Sequence, residues 1–481
     1  HKRPKNLVAV TGTNGKSSIA NFYYQILKLN KIKVASIGTL GIYGLNFKKK
    51  FSNTTFDPIE LNKILSILKL KKINNVILEA SSHGLKQHRL DYLRFNLAIF
   101  TNFSRDHLDY HKTFKDYFNS KMILFRKLMK KKSKAIIDNE ILESKKIKKI
   151  LKTNNLKTIT IGTNKTDFKI TNHNYFGKYQ NVTFKFKGKN FSFQTSLIGK
   201  IQIKNLLMAI IAANQINLPM KKIIKSIKKI KAVSGRLEKI GSLKNNSKVI
   251  LDYAHTPDAL KNCIQSVKDQ FKMSRISIVF GCGGERDKPK RKIMGRIANK
   301  YCSKIYLTDD NPRSEDPKKI RKDIKVNIKK NKLYEISSRE NAIKKAILDI
   351  KSNEIVVVAG KGHEIFQEYK SKNFFSDRKS IIKYIKEKNN HLNNSWKLNI
   401  VQELLDKKIN SYKIINKASI NSRDVKKNNI FFGVKGKKID GNKFADQALK
   451  NGASISIVDK KYGKKNKKKI KVKNSLKTFS K

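Results

Sequence analysis

Residues 6–18 read Asn-Leu-Val-Ala-Val-Thr-Gly-Thr-Asn-Gly-Lys-Ser-Ser, an apolar run followed by a glycine-rich turn and a lysine. The run 6–12 predicts a short buried strand, and 17–29 predicts a helix. In such a turn, glycines let backbone N–H groups approach phosphates, and the helix N-terminus adds partial positive charge. Because Val10 stands where the strict Walker pattern has glycine, the loop is a variant. We predict a phosphate-binding loop, with Lys16 on the β- and γ-phosphates and Ser17 on Mg²⁺.

Further apolar runs separated by helix-like stretches follow in the first half of the chain. They predict strands at 75–80, 97–102, 134–138 and 158–162. This alternation is typical of a largely parallel sheet. Residues 168–196 differ, because alternating Phe, Val and Thr with small polar turns predicts a little antiparallel appendage.

A second alternating series begins after Val233-Ser234-Gly235-Arg236. It predicts strands at 248–254, 275–281, 304–308, 333–337 and 354–360. The intervening helices are predicted near 257–271, 289–300, 317–327 and 339–349. The fold class is therefore α/β, with two doubly wound, mostly parallel sheet domains. The first is of the P-loop ATPase type and the second is Rossmann-like, and a small partial α/β domain follows them.

The composition excludes several classes of protein. A chain of 481 residues predicts two or three domains. The sequence contains no run of about 18 apolar residues, so no membrane span is predicted. The net charge of +72 comes mainly from Lys spread along the whole chain, with no RNP pattern or C2H2 finger, so compositional bias explains it better than nucleic-acid binding. No basic-then-apolar leader is present, and the three scattered cysteines form no CxxC pair. We expect a cytoplasmic monomer without a disulfide or zinc site.

Polar side chains follow two of the predicted strands. Residues 79–89 read Glu-Ala-Ser-Ser-His-Gly-Leu-Lys-Gln-His-Arg, and 101–111 read Thr-Asn-Phe-Ser-Arg-Asp-His-Leu-Asp-Tyr-His. Ligands of open α/β sheets gather at the carboxyl ends of strands. We therefore expect these carboxylates, hydroxyls and imidazoles to converge beside the phosphate loop.

The loop Thr11-Gly-Thr-Asn-Gly-Lys-Ser17 resembles that of the Mur ligase family and of the related folylpolyglutamate synthases. The synthases usually carry glycine after the lysine, where Ser17 stands here. The two polar segments resemble the Mur ligase that extends muramoyl-Ala-Glu. That resemblance implies that Glu79 and His107 bind a second Mg²⁺. It also implies that Lys121, in a Tyr-x-x-x-Lys segment starting at Tyr117, carries a CO₂-derived carbamate, as N6-carboxylysine.

The resemblance extends to contacts with two substrates. It implies that the UDP-muramoyl dipeptide is bound by Asn53, Thr54, Thr55, Ser81, Gln87 and Arg89. It implies that ATP is bound by Gly12, Thr13, Asn14, Gly15, Lys16, Ser17, Ser18, Asn205, Arg236, Asp252 and His255. Two positions depart from the family pattern: Phe56 replaces a frequent proline, and Gln202 replaces an asparagine and is left out.

The stretch Asp309-Asp-Asn-Pro-Arg313 follows the predicted strand 304–308. An arginine offers a two-pronged donor suited to a carboxylate, and a glutamate can hold an ammonium, so the loop suits a zwitterionic amino acid. The stretch resembles the diaminopimelate-selecting motif of the family. The implied diaminopimelate contacts are Arg286, Asp310, Asn311, Pro312, Arg313, Gly360 and Glu364.

The resemblance also implies a domain arrangement. Residues 1–235 correspond to the family's central ATP-binding domain and 236–388 to its C-terminal amino-acid-binding domain, with a polar linker at 389–395. Residues 396–481 resemble part of the N-terminal, UDP-binding domain of the next enzyme, which adds D-Ala-D-Ala. Two hypotheses remain open: a fragment of a two-enzyme fusion, with the next-step ligase fused or adjacent, or a permuted ligase.

The reaction implied is ATP-dependent addition of meso-2,6-diaminopimelate to UDP-N-acetylmuramoyl-L-alanyl-D-glutamate through an acyl phosphate, in peptidoglycan precursor synthesis. The partners are then small-molecule substrates, with no nucleic acid and no membrane. One alternative is a folylpolyglutamate-synthase-type ligase, against which Ser17 and the Asp-Asn-Pro-Arg stretch count. Another is a basic nucleic-acid-binding protein, whose binding would collapse at high salt.

Overall fold

The computed structural model describes residues 3–45, 53–394, 417–436, 439–462, 466 and 468–480. The chain divides into two compact units. The first comprises His1–Ile240, Ile250–Ile343 and Val357–Arg378, and the second comprises Gly241–Val249, Lys344–Val356 and Lys379–Lys481. Every candidate site residue belongs to the first unit.

Ten strands of the first unit form one sheet: β1 (Asn6–Thr11), β2 (Val34–Gly38), β3 (Gly41–Tyr43), β4 (Asn75–Glu79), β5 (Phe95–Phe100), β6 (Met129–Asp138), β7 (Lys157–Gly162), β8 (Phe168–Phe176), β9 (Tyr179–Phe186) and β10 (Lys189–Thr195). Their order is β10-β9-β8-β7-β6-β5-β1-β4-β2-β3. The strands from β8 to β2 in that order are parallel, whereas β3, β9 and β10 pair antiparallel. Strand β1 lies centrally, which places the loop after it between the ends of β4 and β5.

Within the described part of 3–240, eight helices accompany this sheet: α1 (Lys16–Leu29), α2 (Pro58–Leu70), α3 (Ser82–Lys86), α4 (Leu108–His111), α5 (Phe114–Lys127), α6 (Ser144–Thr153), α7 (Lys200–Asn214) and α8 (Met220–Ile227). Both faces of the sheet are covered, because alternate residues of β1 enter different cores. Val8 and Val10 pack with α1 and α7, while Leu7 and Ala9 pack with α2 and α5. The result is a doubly wound domain with a buried central strand.

A second sheet of six strands follows: β11 (Glu238–Ser242), β12 (Lys248–Asp252), β13 (Ile276–Phe280), β14 (Lys304–Leu307), β15 (Leu333–Glu335) and β16 (Ile355–Ala359). Its order is β11-β12-β16-β13-β14-β15, and β13, β14 and β15 are parallel. The helices here are α9 (Pro257–Gln270), α10 (Lys290–Tyr301), α11 (Pro317–Lys325), α12 (Arg339–Leu348) and α13 (Asp377–Asn394). A hairpin, β17 (Phe366–Glu368) and β18 (Lys372–Phe374), precedes α13.

The C-terminal part carries a four-stranded parallel sheet, β19 (Ala418–Ser419), β20 (Asn429–Phe432), β21 (Ala453–Asp459) and β22 (Lys469–Val472), in sequence order. Its helices are Ala445–Lys450 and Ser475–Phe479. Apolar residues are buried on both faces: Ile430 and Ile457 lie in one cluster, and Phe431 and Val458 in another. The small α/β unit predicted from the sequence is therefore present over the described part of 396–481, and residues 396–416 lie outside it.

The predicted α/β fold class is confirmed, and the predicted strands and helices lie within a few residues of the observed ones. The antiparallel strands at 168–196 are also confirmed, although they extend the edge of the large sheet. The predicted linker at 389–395 is wrong for 389–394, because α13 continues to Asn394; residue 395 lies outside the described residues. Polar residues suit an exposed helix face, and Lys388 Nζ donates to Leu348 O at 2.8 Å. No helix of the described residues is long and apolar enough to cross a membrane.

Candidate active site

The phosphate loop joins β1 to α1 and is fixed by residues that follow β5. Thr13 N donates to Asn102 O at 2.9 Å, and Asn14 N donates to Asn102 Oδ1 at 2.9 Å. Gly12 has φ +137°, and a Cβ there would lie 1.9 Å from Thr101 Oγ1, so only glycine fits. The loop is thus held in shape by the neighbouring strand end.

Two buried lysines converge on one carbonyl of this loop. Lys16 Nζ donates to Gly12 O at 2.9 Å and to Thr13 O at 2.8 Å, and Lys121 Nζ donates to Gly12 O at 2.8 Å. Burial lowers the pKa of Lys16, and it lowers the pKa of Lys121 well below its usual range, with Lys16 adding to the effect. Lys121 is 1% exposed, and no carboxylate of the described chain forms an ion pair with it. Burial therefore favours the neutral form of its amine.

Glu79 ends β4 and carries a buried carboxylate beside the loop. Its Oε2 accepts from Ser17 Oγ at 3.0 Å and from Thr39 Oγ1 at 3.1 Å, and its Oε1 accepts from Thr39 N at 3.0 Å. Carboxylate and hydroxyl oxygens are the donors that Mg²⁺ prefers, so Glu79 and Ser17 together fit that cation. Thr39 was missed in the sequence because the strand before it, β2, was not predicted.

His107 lines the same cavity as Glu79 and lies in the left-handed backbone region with φ 52°. Burial lowers its pKa to about 3, although Asp106, whose Oδ2 lies 3.3 Å from Nε2, acts in the opposite direction. The imidazole is therefore neutral, as a metal ligand must be. Across the residues described, no three His, Cys, Asp or Glu side chains are grouped closely enough to hold a metal by themselves.

The candidate dipeptide contacts form a hydrogen-bonded cluster after β4. Thr55 Oγ1 donates to Glu79 O at 2.9 Å and lies 3.0 Å from Ser81 Oγ, and Arg89 donates to Thr55 O at 2.7 Å. Thr54 lies 3.0 Å from Thr39 Oγ1. Thr55 is buried and holds this segment, while the other candidate dipeptide contacts line the cavity: Asn53, Thr54, Ser81, Gln87 and Arg89.

The candidate nucleotide contacts from the second sheet lie around the end of β12. Asp252 accepts from Leu237 N at 2.7 Å and from Ala254 N at 2.8 Å. The Arg236 guanidinium lies over the Tyr253 ring, 4.1 Å from its centroid. His255 Nε2 lies 4.0 Å from Asp106 Oδ2, and burial lowers the pKa of His255.

Most candidate residues line one cavity of about 480 Å³ in the first unit. Those that line it are Thr13, Asn14, Gly15, Lys16, Ser17, Ser18, Asn53, Thr54, Glu79, Ser81, Gln87, Arg89, His107, Lys121, Asn205, Arg236, Asp252, His255 and Arg286. Those that do not are Gly12, Thr55, Asp310, Asn311, Pro312, Arg313, Gly360 and Glu364. The cavity joins the predicted nucleotide, metal and dipeptide sites, whereas Arg286 alone among the candidate diaminopimelate contacts lines it.

The candidate amino-acid residues surround Asn311. Glu364 Oε2 accepts from Asn311 Nδ2 at 3.2 Å, and its Oε1 accepts from the hydroxyl of the cavity-lining Tyr253 at 3.2 Å. Arg313 donates to Gly284 O at 2.7 Å. Gly360 has φ +113°, and a Cβ there would lie 2.6 Å from Asp310 Oδ2, so this close approach requires glycine.

Two ion pairs connect the segment 105–109, which covers the end of the loop after β5 and the start of α4, with the loop after β13. Arg105 holds Asp287 with two contacts of 2.7 and 3.2 Å, and Arg286 lies 3.2 Å from Asp109. Arg286 thus already has a carboxylate partner in this structure. It remains half exposed, so its other donors are accessible.

Three family models match consecutive parts of the chain. The Mur ligase middle domain matches residues 10–213, the Mur ligase glutamate ligase domain matches 235–362, and the catalytic domain of the Mur ligase family matches 415–476. The chain belongs to the Mur ligase family. This Mur ligase is 43% identical over 391 residues to a UDP-N-acetylmuramoyl-L-alanyl-D-glutamate–2,6-diaminopimelate ligase of Rickettsia rickettsii, covering 80% of this chain and 81% of that protein.

Relatives with the same name include one from Chelativorans sp., 38% identical over 387 residues, with 80% of each chain covered. A solved structure of that name is 32% identical with a TM-score of 0.58, covering 80% of this chain and 79% of the other. A folylpolyglutamate synthase of Mycobacterium tuberculosis has a TM-score of 0.61 at 15% identity, covering 75% of this chain and 89% of that one, and shares the fold alone.

Several site residues of this Mur ligase escaped the sequence interpretation. Asp106 lies between His107 and His255, and Asn102 fixes the phosphate loop. Asp106 and Asn102 both lie in the polar segment 101–111. That segment predicted a site, but its sequence did not indicate which of its polar residues have these roles. Lys361 and Arg339 are fully buried beside the amino-acid residues, and an isolated lysine or arginine in so basic a chain carries no signal of burial.

Proposed function

We propose that this Mur ligase adds meso-2,6-diaminopimelate to UDP-N-acetylmuramoyl-L-alanyl-D-glutamate at the expense of ATP, in the cytoplasmic stage of peptidoglycan precursor synthesis. Relatives of that name are 38–43% identical over about four fifths of the chain. The observation that carries the proposal is the single cavity that joins the phosphate loop, the Glu79 carboxylate and the dipeptide cluster. A carboxylate substrate seated there would lie against the γ-phosphate of a bound nucleotide.

The reaction has two steps. The γ-carboxylate of the D-Glu residue attacks the γ-phosphorus of ATP, forming an acyl phosphate and releasing ADP. The amine of diaminopimelate then attacks the acyl carbon, the amide bond forms, and inorganic phosphate leaves with the C–O bonding pair. Lys16 would exchange its present carbonyl partners for phosphate oxygens and so neutralise negative charge that develops in the first step.

The nucleotide would be held by the loop residues and by groups from the second sheet. The backbone of Gly12, Thr13, Asn14, Gly15 and Ser18 would surround the phosphates, and Asn205, Arg236, Asp252 and His255 line the same cavity. The proposed Mg²⁺ ligands are Ser17, Glu79 and His107. Bound Mg²⁺ supplies positive charge against the phosphate oxygens.

Lys121 is proposed to carry a carbamate. Carbamylation requires a neutral amine, because the nitrogen lone pair attacks CO₂, the N–C bond forms, and a proton leaves the nitrogen. The burial that lowers the pKa of Lys121 favours that neutral form of the amine. The product would be a carbamate anion in place of the amine that now donates to Gly12 O. Its negative charge would lie in the cavity that Lys16 also lines.

The two remaining substrates are assigned to separate parts of the site. The proposed dipeptide contacts are Asn53, Thr54, Thr55, Ser81, Gln87 and Arg89. The proposed diaminopimelate contacts are Arg286, Asp310, Asn311, Pro312, Arg313, Gly360 and Glu364. Each charge-assisted hydrogen bond from arginine to a carboxylate is worth about 1.5–3 kcal/mol, so an amino acid lacking the distal carboxylate would bind far more weakly.

We further propose that residues 1–235 and 236–388 act as the ATP-binding and amino-acid-binding domains, and that 396–481 begins a second ligase of the same family. The match of 415–476 to a third Mur ligase model supports a further module of this family. A permuted ligase, in which this module serves the first two domains, is the alternative.

The test is phosphate release from ATP with the UDP-muramoyl dipeptide present and the amino acid varied. We expect release with meso-diaminopimelate and little with L-lysine or without an amino acid. Lys16→Ala should abolish release, because it removes the loop ammonium, while Lys28→Ala, an exposed position on the same helix, should not. Release that depends on folate and L-glutamate instead, or full activity of Lys16→Ala, would contradict the proposal.

A further inference from the structure

Lys361 is a fully buried cation beneath the candidate amino-acid pocket, and its exposed fraction is 0%. Its Nζ donates to Asn311 Oδ1 at 2.8 Å and to Glu364 Oε2 at 2.9 Å. A buried ammonium costs free energy unless it is paired and hydrogen-bonded, and these two contacts provide both. Lys361 therefore holds together two side chains that come from separate loops.

The contacts of Asn311 determine which way its amide faces. Its Oδ1 accepts from Lys361 Nζ and also from Glu368 N, at 2.9 Å. Neither an ammonium nor a backbone N–H can accept a hydrogen bond, so the atom between them must be the oxygen. The nitrogen then faces Glu364, to which it donates one hydrogen. Within the described residues, its second hydrogen has no acceptor.

We infer that Lys361 is a positioning residue that makes Asn311 a hydrogen-bond donor to the substrate, and so selects an amino acid whose far end is a carboxylate rather than an ammonium. The inference rests on the proposed function. Lys361 also neutralises Glu364, so this part of the pocket presents an N–H group without an excess of negative charge. If free L-lysine were bound in place of diaminopimelate, its positively charged side-chain ammonium would face that N–H group.

Lys361→Met tests the inference, because it removes the ammonium and keeps a side chain of similar length. Asn311 can then turn its oxygen to the ligand, and Glu364 is left as an unpaired anion. We expect the KM for meso-diaminopimelate to rise roughly tenfold to a hundredfold, which corresponds to one lost charge-assisted contact. The KM for ATP should stay unchanged. The ratio of kcat/KM for diaminopimelate to kcat/KM for L-lysine should fall by at least the factor by which the KM for meso-diaminopimelate rises.

Lys332→Met is the matched control. Lys332 also bridges two oxygens, Asn299 O at 2.9 Å and Cys302 O at 3.1 Å, but it precedes β15 and so lies at the opposite end of the strands from the pocket. We expect no change in selectivity there. A role of Lys361 in stability alone would lower the melting temperature of Lys361→Met and leave the selectivity ratio intact, which would overturn the inference.

If Lys361→Met does not fold, a second measurement on the unaltered protein tests whether Asn311 donates a hydrogen bond to the substrate. The side-chain NH₂ signal of Asn311, assigned by its loss in Asn311→Asp, should shift on saturation with meso-diaminopimelate. No shift at saturation would overturn the inference. If the unaltered enzyme releases no phosphate with diaminopimelate, the proposed function itself has failed. If the enzyme is active but Lys361→Met leaves its selectivity unchanged, only the inference about Lys361 has failed.

Discussion

Arg339→Met should weaken the second sheet strongly, because Arg339 holds a buried carboxylate. Its Nε and Nη2 donate to the two oxygens of Asp377 at 2.8 Å each, and Nη2 also donates to Ala359 O at 2.8 Å. Both side chains are 0% exposed. The variant would leave the Asp377 carboxylate without its cation, and breaking one partner of a buried pair costs about 3–5 kcal/mol.

Hydrogen exchange of the peptide that covers β16 measures this loss locally. Since about 1.4 kcal/mol corresponds to a factor of ten, we expect exchange in residues 355–359 to become roughly two to four orders of magnitude faster. Arg339→Met combined with Asp377→Leu should recover most of the protection, because the double variant also removes the buried carboxylate that Arg339 holds with two hydrogen bonds.

The matched control lies on the same helix. Lys345 pairs with Asp349 at 3.0 Å on the surface, and such pairs are worth about 1 kcal/mol or less, so Lys345→Met should change exchange less than tenfold. The reasoning would be refuted if Arg339→Met exchanged within fivefold of the unaltered protein, or if the double variant were no better protected than the single one.

Three further expectations follow from the same structure. Lys121→Ala should be nearly inactive and partly rescued by added short-chain carboxylic acids, if a carbamate is what the site needs; full activity without them would count against that role. The hydrogen bonds from Arg291 lower the pKa of Glu315 to about 2, so this pair stabilises the fold above the unfolded pKa near 4.3 and is lost as pH falls toward 2. Glu315→Gln should therefore cost about 1–3 kcal/mol at pH 7, with the gap in melting temperature narrowing below the unfolded pKa and closing only as the pH approaches 2. Deleting 396–481 should leave calorimetric binding of diaminopimelate and of the UDP-dipeptide unchanged, and a large loss of UDP-dipeptide binding would favour the permuted ligase.

The strands and the phosphate loop were predictable because their signals are local. Apolar runs between turns gave β1, β4 and β5 within two residues, and the polar residues after them identified the edge of the sheet that carries the site. The same reasoning failed at 389–394, where a polar composition indicated a linker but α13 continues. A helix whose buried face holds Ile381 and Tyr384 tolerates several asparagines near its end.

The orientation of side chains was not predictable in the same way. Lys16 and Lys121 are separated by more than a hundred residues, and their shared contact with Gly12 O depends on the order of the strands. Lys361 is one of many lysines in the chain, and only its burial against Asn311 and Glu364 distinguishes it. Such roles arise from long-range packing, which one sequence does not encode as a local pattern.

The parallel pairing of β1 has a consequence for how the chain folds. Val8 pairs with Leu97, and Asn6 pairs with Asn75, so the central strand gains both partners only across long stretches of sequence. Closing such loops costs chain entropy before the contacts repay it, which makes parallel sheets slow to form. During synthesis, the phosphate loop therefore stays unformed until the chain through β5, which ends at Phe100, has left the ribosome, whereas the hairpin of β9 and β10 can close within its own few residues.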